Sequence, residues 1–445
     1  MPELLRIEEP DPARAAQAPV SPIPPIPLAS KTPKQGPALA PSWRAFFELG
    51  FRPLYLMGCC WGIVGVLLWV YVPRALAGPM AGVAWHAHEM LWGFVATIAA
   101  GFLLTAGANW TGLTTVQGRW LAALCGAWVL ARIGFLIPGA AGNAVSSAVF
   151  WMAAGCEWVF FWGAAAALGR AVIKARSQRN YGVPLLLLGL GAADVLYLAA
   201  IWRGANYTLL MERFTSGLLC MAVVALLIGR RVIPFFASRA VAGLNIPMHQ
   251  QSGQWQIAAG VLAIACLLAG WAPGQALFLT VAGALALWQV LAWRPWAVRR
   301  VPLLWILYAG YAALGAGLLV AAAHALGLGW TVRPAWPAHV IGAGGFATLI
   351  IGMVTRTALG HLGRPLRADR SMITAYVLVI AAAVLRLLAL LPTAAALPAL
   401  HIGAALWIAA FALYLWRFFP MMIRPRPDRV PQKTPPVRVA ARMSR

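Results

Sequence analysis

Histidine and arginine are the side chains of this sequence that are best suited to holding a metal group. Five of its seven histidines recur near the ends of apolar segments: His86, His88, His324, His339 and His401. A neutral imidazole is a common metal ligand and the usual axial ligand of haem iron. Arginine pairs well with carboxylates, such as the two propionates of a haem. These residue types therefore indicate a metal centre, and haem is the group that would use both side chains.

The elements that carry these residues are apolar segments of about 20 residues, the length that crosses a bilayer as a helix. Of the 445 residues, 62% are hydrophobic and only 10% are charged, whereas soluble proteins carry about 25% charged residues. The segments are rich in Leu, Ala and Gly and lack the alternation of membrane strands. We therefore expect an all-α, polytopic membrane protein with about twelve transmembrane helices. The predicted spans are 53–76, 84–107, 118–138, 146–169, 182–202, 213–233, 254–271, 275–294, 303–326, 336–357, 371–391 and 395–418.

Composition and charge predict the domain limits and the orientation. Residues 1–42 are Pro-rich and polar, which predicts a disordered cytoplasmic tail. Residues 420–445 form a second, basic cytoplasmic tail, and residues 43–419 hold the twelve helices. With the N-terminus inside, fifteen Lys and Arg residues fall in cytoplasmic loops and four in outer loops. The positive-inside rule therefore places both termini in the cytoplasm. The rule and anionic lipid explain the net charge of +24, and no basic face with interleaved aromatics indicates nucleic-acid binding.

In this orientation the five histidines share one depth, at the outer membrane face. Histidine is tolerated at helix ends near an interface, but five at one level, joined by Glu89, Arg132 and Arg386, favour a metal layer. Arg386 lies about 7.5 Å inside the outer end of its helix. A charge at that depth is costly unless it is paired, which makes it a candidate functional residue.

We predict that His88 and His339 are the two axial ligands of one haem and that Arg386 anchors its propionates. A shift of 251 residues superposes His88 on His339 and Gly93 on Gly344, and both segments enter the membrane from outside. The sixth predicted helix enters in the same way. This spacing of four helices suggests three pseudo-symmetric arcs of four.

A second metal, with copper as the candidate, is predicted beside the haem. Residues two apart on a helix point about 200° apart, so His86 should face away from His88. We assign His86 to the second metal, with His324 and His401 as its partners. An alternative is that His324 and His339 bind copper across the short hairpin that joins their helices.

Two further groups of polar residues have open roles. Glu157 and Asp194 lie mid-membrane, where they either pair with polar helix groups or relay protons to the metal layer. Glu89 and Arg132 belong to the same path or support the metal ligands.

A cytoplasmic motif forms the other group. It either ends helices and anchors lipid phosphate or forms an entry site for a small ligand, and its residues are Asn109, Trp110, His361 and Arg364.

A histidine on the second and on the tenth of twelve helices resembles the catalytic subunit of haem–copper oxidases. In that superfamily these two helices clamp a low-spin haem near the outer face. The sixth and seventh predicted helices carry no histidine here, although that superfamily binds copper there. The resemblance therefore does not extend to a copper site of that type.

A more specific resemblance is carried by five motifs in a fixed order. They are GFRPLY at 50–55, WHAHEM at 85–90, GFLLTAGANWTG at 101–112, GRRVIPFF at 229–236 and RTALGHLGRPL at 356–366. Together they resemble the NnrS family over about residues 44–428. Leu362 departs from the family pattern, in which a small polar residue is expected, and His361 is retained. The resemblance implies a bacterial inner-membrane protein that contains haem and copper and is tied to nitric oxide metabolism and nitrosative stress.

The expected function is therefore to handle nitric oxide from the outer side, since an apolar gas concentrates in the bilayer. The chain has no CxxCH motif and no flavin or nicotinamide fingerprint. The haem should then be b-type, and an enzyme of this kind would be an oxidoreductase that takes electrons from quinol or a partner protein. Two alternatives stay open: a transporter or exporter of a metal or metal–nitrosyl species, and a non-catalytic buffer or sensor of nitric oxide. A transporter would need broken helices near the midplane, and no pair of Pro-broken spans stands at matched positions.

Overall fold

The computed structural model describes residues 40–76, 80–137, 144–247, 250–329 and 333–427, and these residues fold into helices without strands. This confirms the all-α class. The long helices are α1 Phe51–Tyr71, α2 Val83–Thr111, α3 Gly118–Leu136, α4 Ala144–Lys174, α5 Gly182–Trp202, α6 Tyr207–Ala240, α7 Gln250–Leu268, α8 Ala272–Ala292, α9 Pro302–Ala325, α10 Ala335–His361, α11 Arg370–Leu388 and α12 Ala396–Met422. Each overlaps one predicted span.

Eleven of these helices are long and apolar enough to cross a membrane, and α7 is the exception because glutamines crowd its first two turns. The two ends of the described bundle nevertheless meet. The amide of Ser42 donates to the carbonyl of Ile423 at 2.8 Å, and Arg52 Nη1 donates to the carbonyls of Met422 and Arg424 at 2.8 and 2.7 Å. Ends on one side of a membrane require an even number of crossings, and α7 as a twelfth crossing helix meets this requirement.

Only parts of the predicted tails lie within the described residues. Residues 1–39 and 428–445 are outside them. Helix α12 continues to Met422, three residues past the predicted domain limit at 419.

Helix α2 lies at the centre of the bundle. Its most apolar stretch is 89% buried, compared with 33% for α11 and α12. Small residues allow the close approach of α1: a Cβ added at Gly101 would lie 2.8 Å from Leu54 Cβ. This central helix carries His86, His88 and Glu89, so both of its faces can contribute to sites inside the protein.

Helices α2 and α10 share a break in helical register. Each contains a π-helical stretch, Glu89–Ala96 in α2 and Val340–Ala347 in α10. The stretches begin directly after His88 and His339, and the shift of 251 residues superposes one on the other. Wide π turns occur frequently at functional sites. The internal repeat therefore marks a shared backbone feature.

Candidate functional site

An apolar cavity of about 210 Å³ opens between the ends of α1, α2, α6, α10, α11 and α12 that the sequence predicts to face outward. His86, His339 and Arg386 are its polar side chains of interest, and Phe94 and Trp407 are among the aromatic residues of its wall. Such a cavity, mostly apolar with a few convergent polar groups, is typical of a small-molecule or cofactor site.

The imidazoles of His86 and His339 face one another in this cavity. Their ring centroids are 6.4 Å apart and their planes differ by 19°. His339 Nδ1–H donates to the carbonyl of Ala335 at 2.7 Å, which leaves Nε2 as its metal-binding nitrogen. His86 Nδ1 is buried without a hydrogen bond to any described residue, and the Trp69 ring stacks on His86 at 4.8 Å.

The spacing of the two rings fits a metal held between them. Imidazole–metal bonds are about 2.0–2.1 Å long, which puts the centroids of two imidazoles on opposite sides of one metal roughly 6.3 Å apart. Arg386, on the same cavity wall, provides a cation for carboxylates at its edge. The residues present therefore fit a haem with two histidine ligands.

A second polar centre lies on the other face of α2. Five side chains of this buried cluster are at most 2% exposed: His88, Glu89, Arg132, Glu157 and Asp194. His88 Nδ1 lies 2.9 Å from Glu89 Oε1, and Nε2 lies 2.9 Å from Asp194 Oδ1 and 3.2 Å from Glu157 Oε2. Helices α2, α3, α4 and α5 each contribute to the buried cluster.

Donors from neighbouring helices hold the remaining carboxylate oxygens in place. Arg132 lies between two of the carboxylates, with Nη1 at 2.5 Å from Glu89 Oε2 and Nη2 at 2.5 Å from Glu157 Oε1. The indole of Trp61 also donates to Glu89 Oε2 at 2.5 Å. The indole of Trp158 donates to Asp194 Oδ2 at 3.1 Å.

A family model described as NnrS protein matches residues 45–426, which is nearly the whole chain. The chain belongs to the NnrS family. No curated protein matches it. All five motifs that carry the resemblance lie inside the matched region, and WHAHEM contains both histidines of α2 together with Glu89.

The arrangement of the histidines in this NnrS-family protein differs from the predicted pairing of His88 with His339. It places His86, and not His88, opposite His339. The expectation that His86 and His88 point apart is met, but the faces are exchanged: His88 points towards α4 and α5, where both of its ring nitrogens meet carboxylates. The rotation of α2 about its axis determines which of the two histidines faces His339. The spacing of the histidines in the sequence does not determine that rotation.

The two further histidines predicted to join His86, namely His324 and His401, are not among the described residues that line its cavity. His401 Nδ1–H donates to the carbonyl of Leu397 at 2.9 Å, beside the Tyr71 ring. Among the described residues, one set of three metal-capable side chains converges within 4.8 Å, and it is His88, Glu157 and Asp194.

The sequence found most of the buried cluster but missed its centre. The charges in apolar helices point to Glu89, Arg132, Glu157 and Asp194. Arg132 pairs with Glu89 and Glu157, and Asp194 joins them through His88. His88 was assigned elsewhere. The sequence does contain a signal for this group. Three carboxylates and only one arginine lie at one depth, so a further cationic or proton-donating side chain is expected to join them.

The residues of the predicted cytoplasmic motif lie at the ends of two helices, α2 and α10. Helix α2 ends at Gly112, which has φ 69°, and the Thr111 hydroxyl donates to the carbonyl of Gly107 at 2.7 Å. Asn109 is exposed and Trp110 is half-buried. His361 ends α10, where its ring lies 5.3 Å from that of Phe51. Arg364 follows in the turn, where its amide donates to the carbonyl of Leu359.

Proposed function

We propose that this protein holds a b-type haem in its outer cavity between His86 and His339 and that it encounters nitric oxide there. The observation that carries the proposal is the spacing of the two imidazoles across the cavity, at 6.4 Å between centroids. The free Nδ1 of His86 and the oriented Nε2 of His339 supply the nitrogens. A bound haem would supply an iron that exchanges electrons with nitric oxide, or that takes it up in place of one of the two histidines.

The chain itself has three tasks in this cavity. His86 and His339 bind and orient, and the Ala335 carbonyl fixes the tautomer of His339. Arg386 offers its guanidinium to the propionates, a strong bidentate pairing in an apolar setting. Aromatic and aliphatic walls, including Phe94, exclude water. Nitric oxide reaches the cavity from the bilayer, because an apolar gas partitions into lipid.

Optical spectra of the purified full chain, with haem quantified per protein, test the proposal. We expect a bis-histidine haem spectrum that changes when nitric oxide is added. The variants His86→Ala and His339→Ala should lose the haem, and Arg386→Leu should lower its occupancy. His401→Ala is the matched control, because His401 is also at the outer face but lies outside the cavity. Normal haem content in both His86→Ala and His339→Ala would overturn the assignment.

Turnover separates an enzyme from a buffer or sensor. An oxidoreductase should consume nitric oxide repeatedly when quinol or a reduced partner protein is supplied. A buffer or sensor should take up nitric oxide once per haem. If nitric oxide consumption stops after one equivalent per haem while quinol is still present, the protein is not a quinol-dependent oxidoreductase.

A further inference from the structure

The buried cluster has more negative charge than its own cation can balance. It contains three carboxylates, those of Glu89, Glu157 and Asp194, and one guanidinium, that of Arg132, so it carries two negative charges when His88 is neutral. Protonation of His88 would still leave one negative charge uncompensated. Charges buried away from water are costly unless they are paired or coordinate a metal. The composition of the cluster therefore calls for a further cation.

The hydrogen-bonding capacity of His88 leads to the same conclusion. Nε2 faces two acceptors, Asp194 Oδ1 at 2.9 Å and Glu157 Oε2 at 3.2 Å, and a single N–H cannot satisfy both well. The Glu157 side chain is fully buried, and neither of its oxygens has a partner among the described residues beyond one ion-pair contact each. Its contacts are the ion pairs with Arg132 and His88. One lone pair of Nε2 and two carboxylate oxygens thus converge on the same point.

We infer that His88 Nε2, Asp194 and Glu157 bind a divalent metal cation of the Mn²⁺, Fe²⁺ or Zn²⁺ type. The three donor atoms lie within 4.8 Å of one another. Donor atoms on one metal are roughly 3–3.5 Å apart when bonds are about 2.0–2.2 Å long, close to the 2.9 and 3.2 Å observed here. A dication with neutral His88 makes the whole cluster electrically neutral.

The side chains around these three ligands are arranged as supports for a metal site. A histidine that binds metal through one nitrogen usually donates its other N–H to a carboxylate, which fixes its tautomer. Glu89 Oε1 is that acceptor, 2.9 Å from His88 Nδ1. The oxygens of Glu157 and Asp194 that point away from His88 Nε2 are held by Arg132 and by the Trp158 indole, respectively.

The ligand set also indicates the class of metal. One imidazole and two carboxylate oxygens suit Mn²⁺, Fe²⁺ and Zn²⁺, whereas Cu(I) prefers thiolate and thioether sulfur. The group that converges on His88 contains no sulfur. Three protein ligands leave at least one coordination position for water or a small ligand, as in catalytic sites. The site is separate from the proposed haem cavity, since His86 and His88 point to opposite faces of α2 and His88 does not line that cavity.

Metal analysis of the purified full chain tests this inference without reference to activity. We expect about one Mn, Fe or Zn per chain beyond the iron accounted for by haem. After treatment with a chelator, the protein should rebind Mn²⁺, seen by electron paramagnetic resonance, and Zn²⁺ should displace it. Asp194→Asn and Glu157→Gln should each lower occupancy at least tenfold. Glu89→Gln should weaken affinity about 10–100-fold, because it acts through His88.

Glu212→Gln is the matched control, since Glu212 is paired with Arg213 at the outer end of α6, outside the buried cluster. It should keep the metal in full. Absence of non-haem metal in the unsubstituted chain, together with no uptake of Mn²⁺ or Zn²⁺, overturns the inference whether or not a variant folds. Retention of the ion by folded Asp194→Asn and Glu157→Gln also overturns it. Loss of the metal with normal haem content, in the same variants, separates this site from the proposed haem site.

Discussion

Gly93 is the residue on which the geometry of the buried cluster depends most directly. A Cβ at this position would lie 2.7 Å from each of Arg132 Nη1, Glu89 Oε2 and Trp61 Nε1. These three atoms form the clamp that holds Glu89 against His88, and all three are tied into hydrogen bonds or ion pairs. Only glycine leaves the clamp room to close.

Gly93→Ala should therefore destabilise the protein. Overpacking of a buried site costs about 1–3 kcal/mol, and here it also separates a buried ion pair. Thermal unfolding in detergent, followed by tryptophan fluorescence or size-exclusion, should show a lower midpoint. The control is Gly344→Ala, at the position that the shift of 251 residues equates with Gly93. A Cβ there meets only Ala313 Cβ, at 3.6 Å, so stability should be unchanged or slightly higher. Equal effects of the two substitutions would contradict this reading.

The two histidines of WHAHEM show how far sequence reasoning reaches at this scale. Their spacing of two residues correctly predicts that they point to different faces of α2, because such residues diverge on a helix. The choice of face depends on how α2 is rotated, and that rotation is set by packing against the neighbouring helices. The repeat misled the assignment, because it equates His88 with His339 in sequence although His86 is the spatial partner of His339.

The same limit is visible in the two π-helical stretches. The repeat predicted a relation between α2 and α10, and the structure gives both helices a wide turn at equivalent positions. The surroundings of the helices differ. Helix α2 has the cavity on one face and the buried cluster on the other, whereas His339 of α10 lines the cavity. Equivalent stretches of backbone therefore carry side chains in different surroundings. The internal repeat predicts the shared backbone conformation but not what the side chains contact.

Helices α11 and α12 are joined at the predicted cytoplasmic side by Asp369. This residue caps α11 by accepting from the amide of Met372 at 3.1 Å, and it also accepts from Ser371 Oγ at 2.6 Å and Arg417 Nε at 2.8 Å. Partial burial raises the pKa of the Asp369 carboxyl, but these hydrogen bonds outweigh burial and hold the pKa below its usual value.

Because the pKa of Asp369 is lower in the folded state, its stabilisation is present above the usual carboxyl pKa of about 3.9 and is lost as the pH falls through the folded-state pKa. Asp369→Asn keeps a cap acceptor but loses the charge. Its unfolding midpoint should therefore lie below that of the unsubstituted chain at pH 7, and the difference should vanish in acid. The pair is partly exposed, so the charge is worth only about 0.2–1 kcal/mol.

Asp369→Ala also loses the cap, which costs about 1 kcal/mol more at neutral pH. In an Arg417→Gln background, the charge effect of Asp369→Asn should shrink. A difference between Asp369→Asn and the unsubstituted chain that grows as the pH falls would contradict the sign derived above.

At the scale of the described bundle, the two polar centres lie on opposite faces of α2, and apolar space adjoins one of them. A second cavity of about 80 Å³ lies beneath the outer one, lined by residues that include Tyr55 and Met353. Val95 and Phe346 border both cavities. This arrangement leaves apolar space, suited to a gas, next to the His86–His339 pair. It supports the proposal that nitric oxide approaches from within the bilayer.

The orientation of the bundle decides which compartment the outer cavity faces. The structure brings the start and the end of the described bundle together, with Ser42 bonded to Ile423, so both ends lie on one side. Charge then selects the side: the loops that share it hold fifteen Lys and Arg residues, against four in the opposite loops. By the positive-inside rule, a bias of this size in short loops predicts that the richer side is cytoplasmic.

Reporter fusions check this orientation. A fluorescent reporter at Arg445 should be active, because it folds in the cytoplasm, and alkaline phosphatase at the same position should be inactive. The control is a phosphatase fusion after Gly204, in the turn between α5 and α6, which should be active because that turn faces outward. The opposite pattern at both positions would reverse the bundle. It would then open the cavity of His86, His339 and Arg386 towards the cytoplasm, and the haem would have to meet nitric oxide from that side.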